Sequence, residues 1–378
     1  MPFIEEDTDS LGQQMHETVI KVIGVGGAGG NALNTMVNRM SGADITFIAA
    51  NTDIQALNKS LAAYKLPLGS SGLGAGTKPE VGFQCANEAR VAIAKMLDGA
   101  DMLFLTAGMG GGTGTGASPV IAEVARELGI LTVAIVTKPF SFEGSRRMRI
   151  AEKGLEQLKD RVDSLIVVLN DRLEETLGED ASLKDCFEKA DEVLYNACSS
   201  VTEMIQNCGM MNVDFRDIKT VMSCKGKALI GYGEASGADR AVIASSQAIS
   251  APLLDSVRMR GAKGLLLNVF ASTSVRASEY RAAMETAQNF ADPDAIVKGG
   301  LFFDDSLGDT LRVSLIATGI EDPDQPAQAP KEAEKKPEAA PFLSQPFSAG
   351  SAKQPEAEPQ QSANQSGLWS SNPLGLKN

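Results

Sequence analysis

The run Gly108-Met109-Gly110-Gly111-Gly112-Thr113-Gly114-Thr115-Gly116 leaves its backbone almost bare. Glycine at that density serves something that must come close to the main chain. The run follows apolar residues, Met102 to Leu105, and precedes Ser118-Pro119 and a stripe of Val120, Ile121, Val124, Ala125 and Leu128 at helical spacing. This reads as strand, glycine loop and helix, with proline near the first helical turn, where a missing N–H is tolerated. Backbone N–H groups of such a loop converge on one concavity, and the helix adds the positive end of its dipole. The natural guest is a phosphate, with the hydroxyls of Thr113 and Thr115 as further donors.

A second unit of the same kind opens the chain. Val19 to Val25 reads as a buried strand, Gly26-Gly27-Ala28-Gly29-Gly30-Asn31 as its loop, and Leu33, Met36, Val37 and Met40 as a helical stripe. The spacing Gly24-x-Gly26-x-x-Gly29, with Asp53 after the apolar run Ile45 to Ala50, also fits a dinucleotide fingerprint and so an NAD-binding oxidoreductase. Two phosphate loops facing one ligand suit a nucleoside triphosphate better. A third glycine stretch, Gly72-Leu73-Gly74-Ala75-Gly76-Thr77, reads either as a plain connection or as part of the same site, and one helix is expected from Pro79 to about Leu97. A strand from Leu131 to Val136, the loop Thr137 to Gly144, a charged helix from Ser145 and a strand from Leu165 to Leu169 continue the alternation. The fold class is α/β: a doubly wound parallel sheet that binds its ligand at the carboxyl ends of the strands.

Ser182-Leu183-Lys184-Asp185 resembles a capping box, and apolar residues then recur at helical spacing from Phe187 to Ile205. A long central helix is expected over 182–208, followed by the loop Met210 to Asp217 and a smaller α/β domain with a mixed sheet, 209–320. From Asp322 the composition changes, with nine of the sixteen prolines of the chain in this stretch. This reads as a disordered linker, 321–367, ending in a tail peptide, 368–378, that holds the single tryptophan, Trp369. Residues 1–17 read as a disordered arm and 18–181 as the nucleotide-binding domain.

A net charge of -13 gives no basic surface for nucleic acid or for anionic lipid. No apolar run approaches the roughly 20 residues of a spanning helix, so no direct membrane insertion is expected. Five cysteines without a CxxC pair, and no signal-like N-terminus, read as a reduced, cytoplasmic protein. One histidine, His16, excludes a Ser-His-Asp relay and a His-ligated metal site.

GxxxxGK[ST] is absent, so phosphate charge must be met by backbone dipoles, a divalent cation and Arg147. Glu143 stands four residues before Arg147; the two either reach ribose and phosphate or form a surface ion pair. Asn170 and Asp191 are candidates for the base. A carboxylate accepts from guanine N1–H and N2–H, whereas adenine N1 would leave it unpaired. Asp214 and Asp217 could polarise an attacking water, but beside a triphosphate of the same subunit they would repel it. They either meet the γ-phosphate of a neighbouring molecule or, for Asp214, cap the short helix that follows.

Together, the run 108–116, Asn51-Thr52-Asp53, Gly72 to Gly76, Thr137-Lys138-Pro139-Phe140, Phe142-Glu143-Gly144 and Asn212-Val213-Asp214-Phe215-x-Asp217 resemble the tubulin/FtsZ family of GTPases in order and interval over about 18–320. The resemblance implies a tubulin-like GTPase that polymerises head to tail and forms the cytokinetic ring on the inner face of the membrane in bacterial division; a GTP-binding regulator that never polymerises is the other alternative. Carried over by position, Gly27, Ala28, Gly29, Gly30, Asn31, Gly110, Gly111, Gly112, Thr113 and Gly114 hold the phosphates of GTP or GDP, with Gly74, Ala75 and Gly76 near the γ-phosphate. Glu143 and Arg147 reach the ribose region, and Asn170 and Asp191 read guanine. Asn212, Asp214 and Asp217 enter the next subunit's site as catalytic residues, and Mg2+ is held mainly by phosphates and water rather than by protein ligands. Ala28 departs from a glycine common in the family and requires a negative φ there. The family's tail peptide, which docks membrane tethers such as FtsA, has a faint echo at Ala339 to Leu343, while the end of the chain differs. An FtsA-like partner and other regulatory division proteins are the expected contacts of the tail.

Overall fold

The computed structural model describes residues 18–40, 43–178, 180–206, 209–224, 226–250 and 261–320. Strand and helix alternate first as β1 (Ile20–Val25), α1 (Gly26–Arg39), β2 (Ile45–Asn51), α2 (Ile54–Lys59), β3 (Tyr64–Pro67), α3 (Pro79–Glu88), α4 (Arg90–Leu97), β4 (Met102–Gly108), α5 (Thr113–Glu127), β5 (Leu131–Lys138), α6 (Ser145–Lys159), β6 (Ser164–Leu169) and α7 (Asn170–Leu177). Then come α8 (Leu183–Gln206), α9 (Phe215–Met222), β7 (Lys227–Ser236), α10 (Arg240–Ile249), β8 (Ala262–Ala271), α11 (Ala277–Gln288), β9 (Ala291–Phe303) and β10 (Thr310–Ile320).

The strands form one sheet in the order β3-β2-β1-β4-β5-β6-β7-β10-β8-β9. It is parallel from β3 to β7, antiparallel where β10 meets β7 and β8, and parallel again between β8 and β9. The α/β class and the mixed C-terminal sheet are as expected from the sequence. The winding reverses between β1 and β4: the chain leaves β1 toward β2 and β3, and leaves β4 toward β5 and β6. A crevice opens at the carboxyl ends of two strands whose connections depart to opposite sides. Both glycine loops lie at that point.

β1, β4 and β5 are buried along almost their whole length because helices cover both faces, which is why they read as continuous apolar runs. On one face Leu33 and Met36 of α1 and Val193, Leu194, Ala197 and Val201 of α8 pack on Val22 and Phe104. On the other, Ile93 and Leu97 of α4 and Val120, Ile121 and Val124 of α5 cover Leu103, Leu105 and Ala134. The core that holds α8 also contains Leu266, Phe302 and Ile316, so this one helix buries side chains against both parts of the sheet. A third core lies between α10, α11 and strands β7 to β10.

The helix expected over Pro79 to Leu97 is broken at Ala89, whose φ is -92° and ψ 6°. Its halves pack on different partners: Gly82 of α3 sits against the Gly112 carbonyl, while Ile93 and Leu97 of α4 enter the core. α5 starts at Thr113, upstream of the helix start expected at Ser118-Pro119, and keeps Pro119 inside. Beside the missing proline N–H, the Ser118 hydroxyl donates to the Gly114 carbonyl at 2.6 Å. β3 was not expected, since only Leu66 of its four residues is buried and it lies at the sheet edge, where alternation is weak. The arm with His16, the linker, the tail peptide and residues 207 and 208 of the central helix lie outside the described residues.

Candidate functional site

β1 runs straight into α1, and β4 reaches α5 through the short loop Met109 to Gly112; neither helix has a side-chain cap. α1 follows Val25 and α5 follows Gly112, neither helix has an acid in its first turn, and their leading N–H groups are open to an anion. The two starts are in contact. A Cβ on Gly26, at φ +76°, would lie 3.0 Å from the Gly114 nitrogen, and one on Gly108 would lie 2.6 Å from Cβ of Ala28. Gly27, Gly30 and Gly111 instead have open space where a Cβ would stand, and that space is where a phosphate can approach both helices. Among the described residues Thr77 alone has positive φ without being glycine, so Ala28 meets the requirement set for it.

The third glycine loop closes on the other two. Gly112 stands where a Cβ would meet Ala75 at 2.7 Å, and the Gly74 amide donates to the Thr52 carbonyl at 3.1 Å. Gly74 and Gly76 have φ of +82° and +54°. The Thr52 and Thr113 hydroxyls share a 2.6 Å hydrogen bond that ties the end of β2 to the start of α5. Thr115 turns away from the expected role, because its buried hydroxyl accepts from the Gly110 amide at 2.8 Å. Asn31 lines a cleft with Gly27, Gly30, Asn51 and Asp53. Gly27 to Asn31, Gly74 to Gly76 and Gly110 to Gly114 therefore form one cradle.

At the mouth, Glu143 and Arg147 form the i,i+4 ion pair, and Glu143 also accepts from the Phe140 amide at 2.9 Å. The carbonyl of Arg147 faces Gly110, which places the pair beside the cradle. Phe140 stacks on Phe142, with ring centroids 4.9 Å apart, and meets Phe187 of α8 edge-on at 5.3 Å. Phe142 and Phe187 stay exposed. Asp191 lies one helical turn beyond Phe187, and its carboxyl is pushed up to about 7, chiefly by burial and then by the Glu188 charge. Asn170, at the start of α7, is buried, and its Oδ1 has no hydrogen-bond partner among the described residues. From the sequence, Thr52, Phe140 and Phe142 stood in the quoted motifs without a role at the site, and Phe187 only in the apolar stripe of the central helix; the Phe187-x-x-x-Asp191 spacing was the available signal for the last.

The acidic loop stands apart. The Asn212 side chain accepts from the Gly209 amide at 2.6 Å, and Asp214 caps α9 by accepting from the Asp217 amide at 2.7 Å. Asp217 also pairs with Lys298 of β9 at 2.8 Å. Met211 bridges Leu301 in the same strand. α8, with 24 residues and a length of roughly 36 Å, has Phe187 and Asp191 near one end and runs toward this loop at the other. Across the sheet, β9 is six strands from β4, a path on the order of 30 Å. The loop is not among the groups brought to the cradle of its own chain.

A model of the tubulin/FtsZ family GTPase domain matches residues 19–178, and a model of the FtsZ family C-terminal domain matches 226–321. The chain belongs to the tubulin/FtsZ family. It is 51% identical over 306 residues to the cell division protein FtsZ of Pseudomonas aeruginosa, covering 80% of this chain and 77% of that one. The FtsZ of Neisseria meningitidis serogroup B is 48% identical over 330 residues, 85% of this chain and 82% of its own. An empty FtsZ dimer structure from M. jannaschii superposes with a TM-score of 0.75 at 41% identity, covering 81% of this chain and 90% of that chain. As a tubulin/FtsZ family member the protein is a tubulin-like GTPase of cell division that binds GTP and GDP. The oxidoreductase alternative falls with this result. Asp53, its expected ribose ligand, caps α2 by accepting from the Gln55 and Ala56 amides.

Contact between Gly108 and Ala28 makes a paired prediction. Gly108→Ala places two Cβ atoms 2.6 Å apart and is expected to cost about 1–3 kcal/mol in urea unfolding and to weaken GDP binding. Adding Ala28→Gly removes one of the two and should restore both quantities; no recovery in the double variant would mean that another contact is responsible.

Proposed function

We propose that this chain assembles head to tail and hydrolyses GTP at the contact between subunits, with Asn212, Asp214 and Asp217 of one subunit entering the cradle of the next. The observation that carries the reading is the separation just described: cradle and acidic loop lie toward opposite ends of α8, too far apart to meet within one chain. A repeat along that axis brings one to the other. The M. jannaschii relative, described as a dimer, is in keeping with self-association.

Within the composite site, open N–H groups at the starts of α1 and α5 hold phosphate oxygens, and the third loop from Gly74 to Gly76 covers the γ end. Guanine lies between Asn170, Asp191 and the exposed rings of Phe142 and Phe187; the orphaned Asn170 oxygen and the desolvated Asp191 carboxyl both fit base N–H donors. The incoming carboxylates orient the water that attacks the γ-phosphorus as its bond to the β–γ bridging oxygen breaks; GDP is the leaving group, its developing charge met by loop dipoles, and the water's proton goes to the inorganic phosphate formed or to solvent. Mg2+ fits as an ion carried on phosphate oxygens and water, and would offset charge on the triphosphate. Filaments of this kind would form the division ring at the inner face of the cytoplasmic membrane, with tethers and regulators, FtsA-like ones included, bound through the tail. The non-polymerising regulator has no observation in its favour.

Turnover per molecule, measured against protein concentration with magnesium present, should be negligible below a threshold and constant per added subunit above it; turnover independent of concentration would overturn the assembly reading. Asp214→Asn keeps a helix cap and removes a charge, so GDP affinity and sedimentable polymer should persist while turnover falls by about a hundredfold. Loss of nucleotide binding in that variant would put the loop in its own subunit's site.

Asp191 adds a pH dependence. With its carboxyl near 7 in the free protein, about one-tenth is ionised at pH 6 and about nine-tenths at pH 8, and guanine donors favour the ionised form. Affinity for GDP should rise about tenfold more over that interval in the native chain than in Asp191→Asn. Equal slopes would remove Asp191 from the base site.

A further inference from the structure

We propose that Lys298 is a positioning residue of the composite site, fixing the Asp217 carboxylate and offsetting part of the negative charge that the acidic loop carries toward the neighbour's triphosphate. The inference rests on the interface reading above.

β9 holds the loop twice. Through the backbone, Leu301 accepts from the Met210 amide at 2.9 Å and donates to the Met211 carbonyl at 3.2 Å. Three residues earlier in the strand, the Lys298 ammonium lies 2.8 Å from Oδ1 of Asp217. Asp217 in turn donates its amide to Oδ1 of Asp214, so lysine, first acid and second acid form a connected series. Both bonds fall on Oδ1 atoms.

The charge pattern gives this series a purpose. Two carboxylates brought against a triphosphate repel it, and the repulsion grows as the interface excludes water. A compact ammonium beside Asp217 offsets part of the charge of the two acids. The Lys298 pKa is raised, first through its bond to Asp217 and with a smaller pull from Asp214, so the ammonium form is favoured in place. A lysine on an edge strand also serves simply to discourage pairing with other sheets. That alternative predicts no effect on chemistry.

The full-length chain with Lys298→Met, and separately Lys298→Arg, decides between them. Three quantities are read: affinity for a fluorescent GDP below the assembly threshold, sedimentable polymer, and turnover per assembled subunit. For Lys298→Met, unchanged affinity, retained polymer and a turnover about tenfold lower are expected, with the deficit shrinking at high salt as screening replaces the lost charge. Lys298→Arg should recover most of the turnover. Native turnover per assembled subunit in Lys298→Met would overturn the inference and leave the interface reading intact. Equal losses in both variants together with a lowered melting temperature would also overturn it, by assigning Lys298 to fold stability. A native protein without a concentration threshold would withdraw the interface reading, and this inference with it.

Discussion

Everything in the nucleotide half depends on two helix N-termini meeting backbone to backbone where the sheet reverses its winding. α1 and α5 can approach so closely only because Gly26, Gly108 and Gly114 carry no Cβ, and the approach aims two helix dipoles at one space. This resolves an apparent conflict in the composition. On the proposed reading, a chain with a net charge of -13 can hold a polyanion because the local field at the cradle comes from oriented peptide groups, whatever the total charge. The Thr52–Thr113 bond and the lean of Ala75 onto Gly112 then lock the third loop to the same frame.

The second organising element is α8, which is buried against both parts of the sheet and carries unlike chemistry toward its two ends. Asp191 sits where burial disfavours its charge, a pattern common at functional sites. The acids beyond the other end are exposed or half-buried, bonded mostly to their own loop and to Lys298. One end suits a ligand that enters a pocket, the other a surface that enters something else.

Much of this was legible in the chain itself. The glycine loops could be read because few other constraints produce such density, and β1, β4 and β5 because strands covered on both faces are apolar throughout. Asp214 and Asp217 drew notice because their charge made no sense beside a phosphate of the same subunit. What escaped depends on contacts between distant segments. No periodicity announces that Phe140, Phe142 and Phe187 meet, that Thr115 bonds inward to Gly110, or that a lysine in β9 reaches a carboxylate before α9 is a turn old. Pro119 misled for a local reason: proline usually marks a helix start, and here α5 extends upstream of it, with the Ser118 hydroxyl on the Gly114 carbonyl.

The length of α8 has a consequence for how the chain can vary. Each residue of a helix advances the axis by about 1.5 Å and turns it by about 100°. A single insertion in α8 would therefore move the acidic loop hardly at all along the axis, yet swing it by more than a quarter turn relative to Phe187 and Asp191. The helix sets a phase as well as a distance. Surface loops of this protein can grow or shrink by one residue at a time; this rod can change only by steps that return both ends to the same bearing.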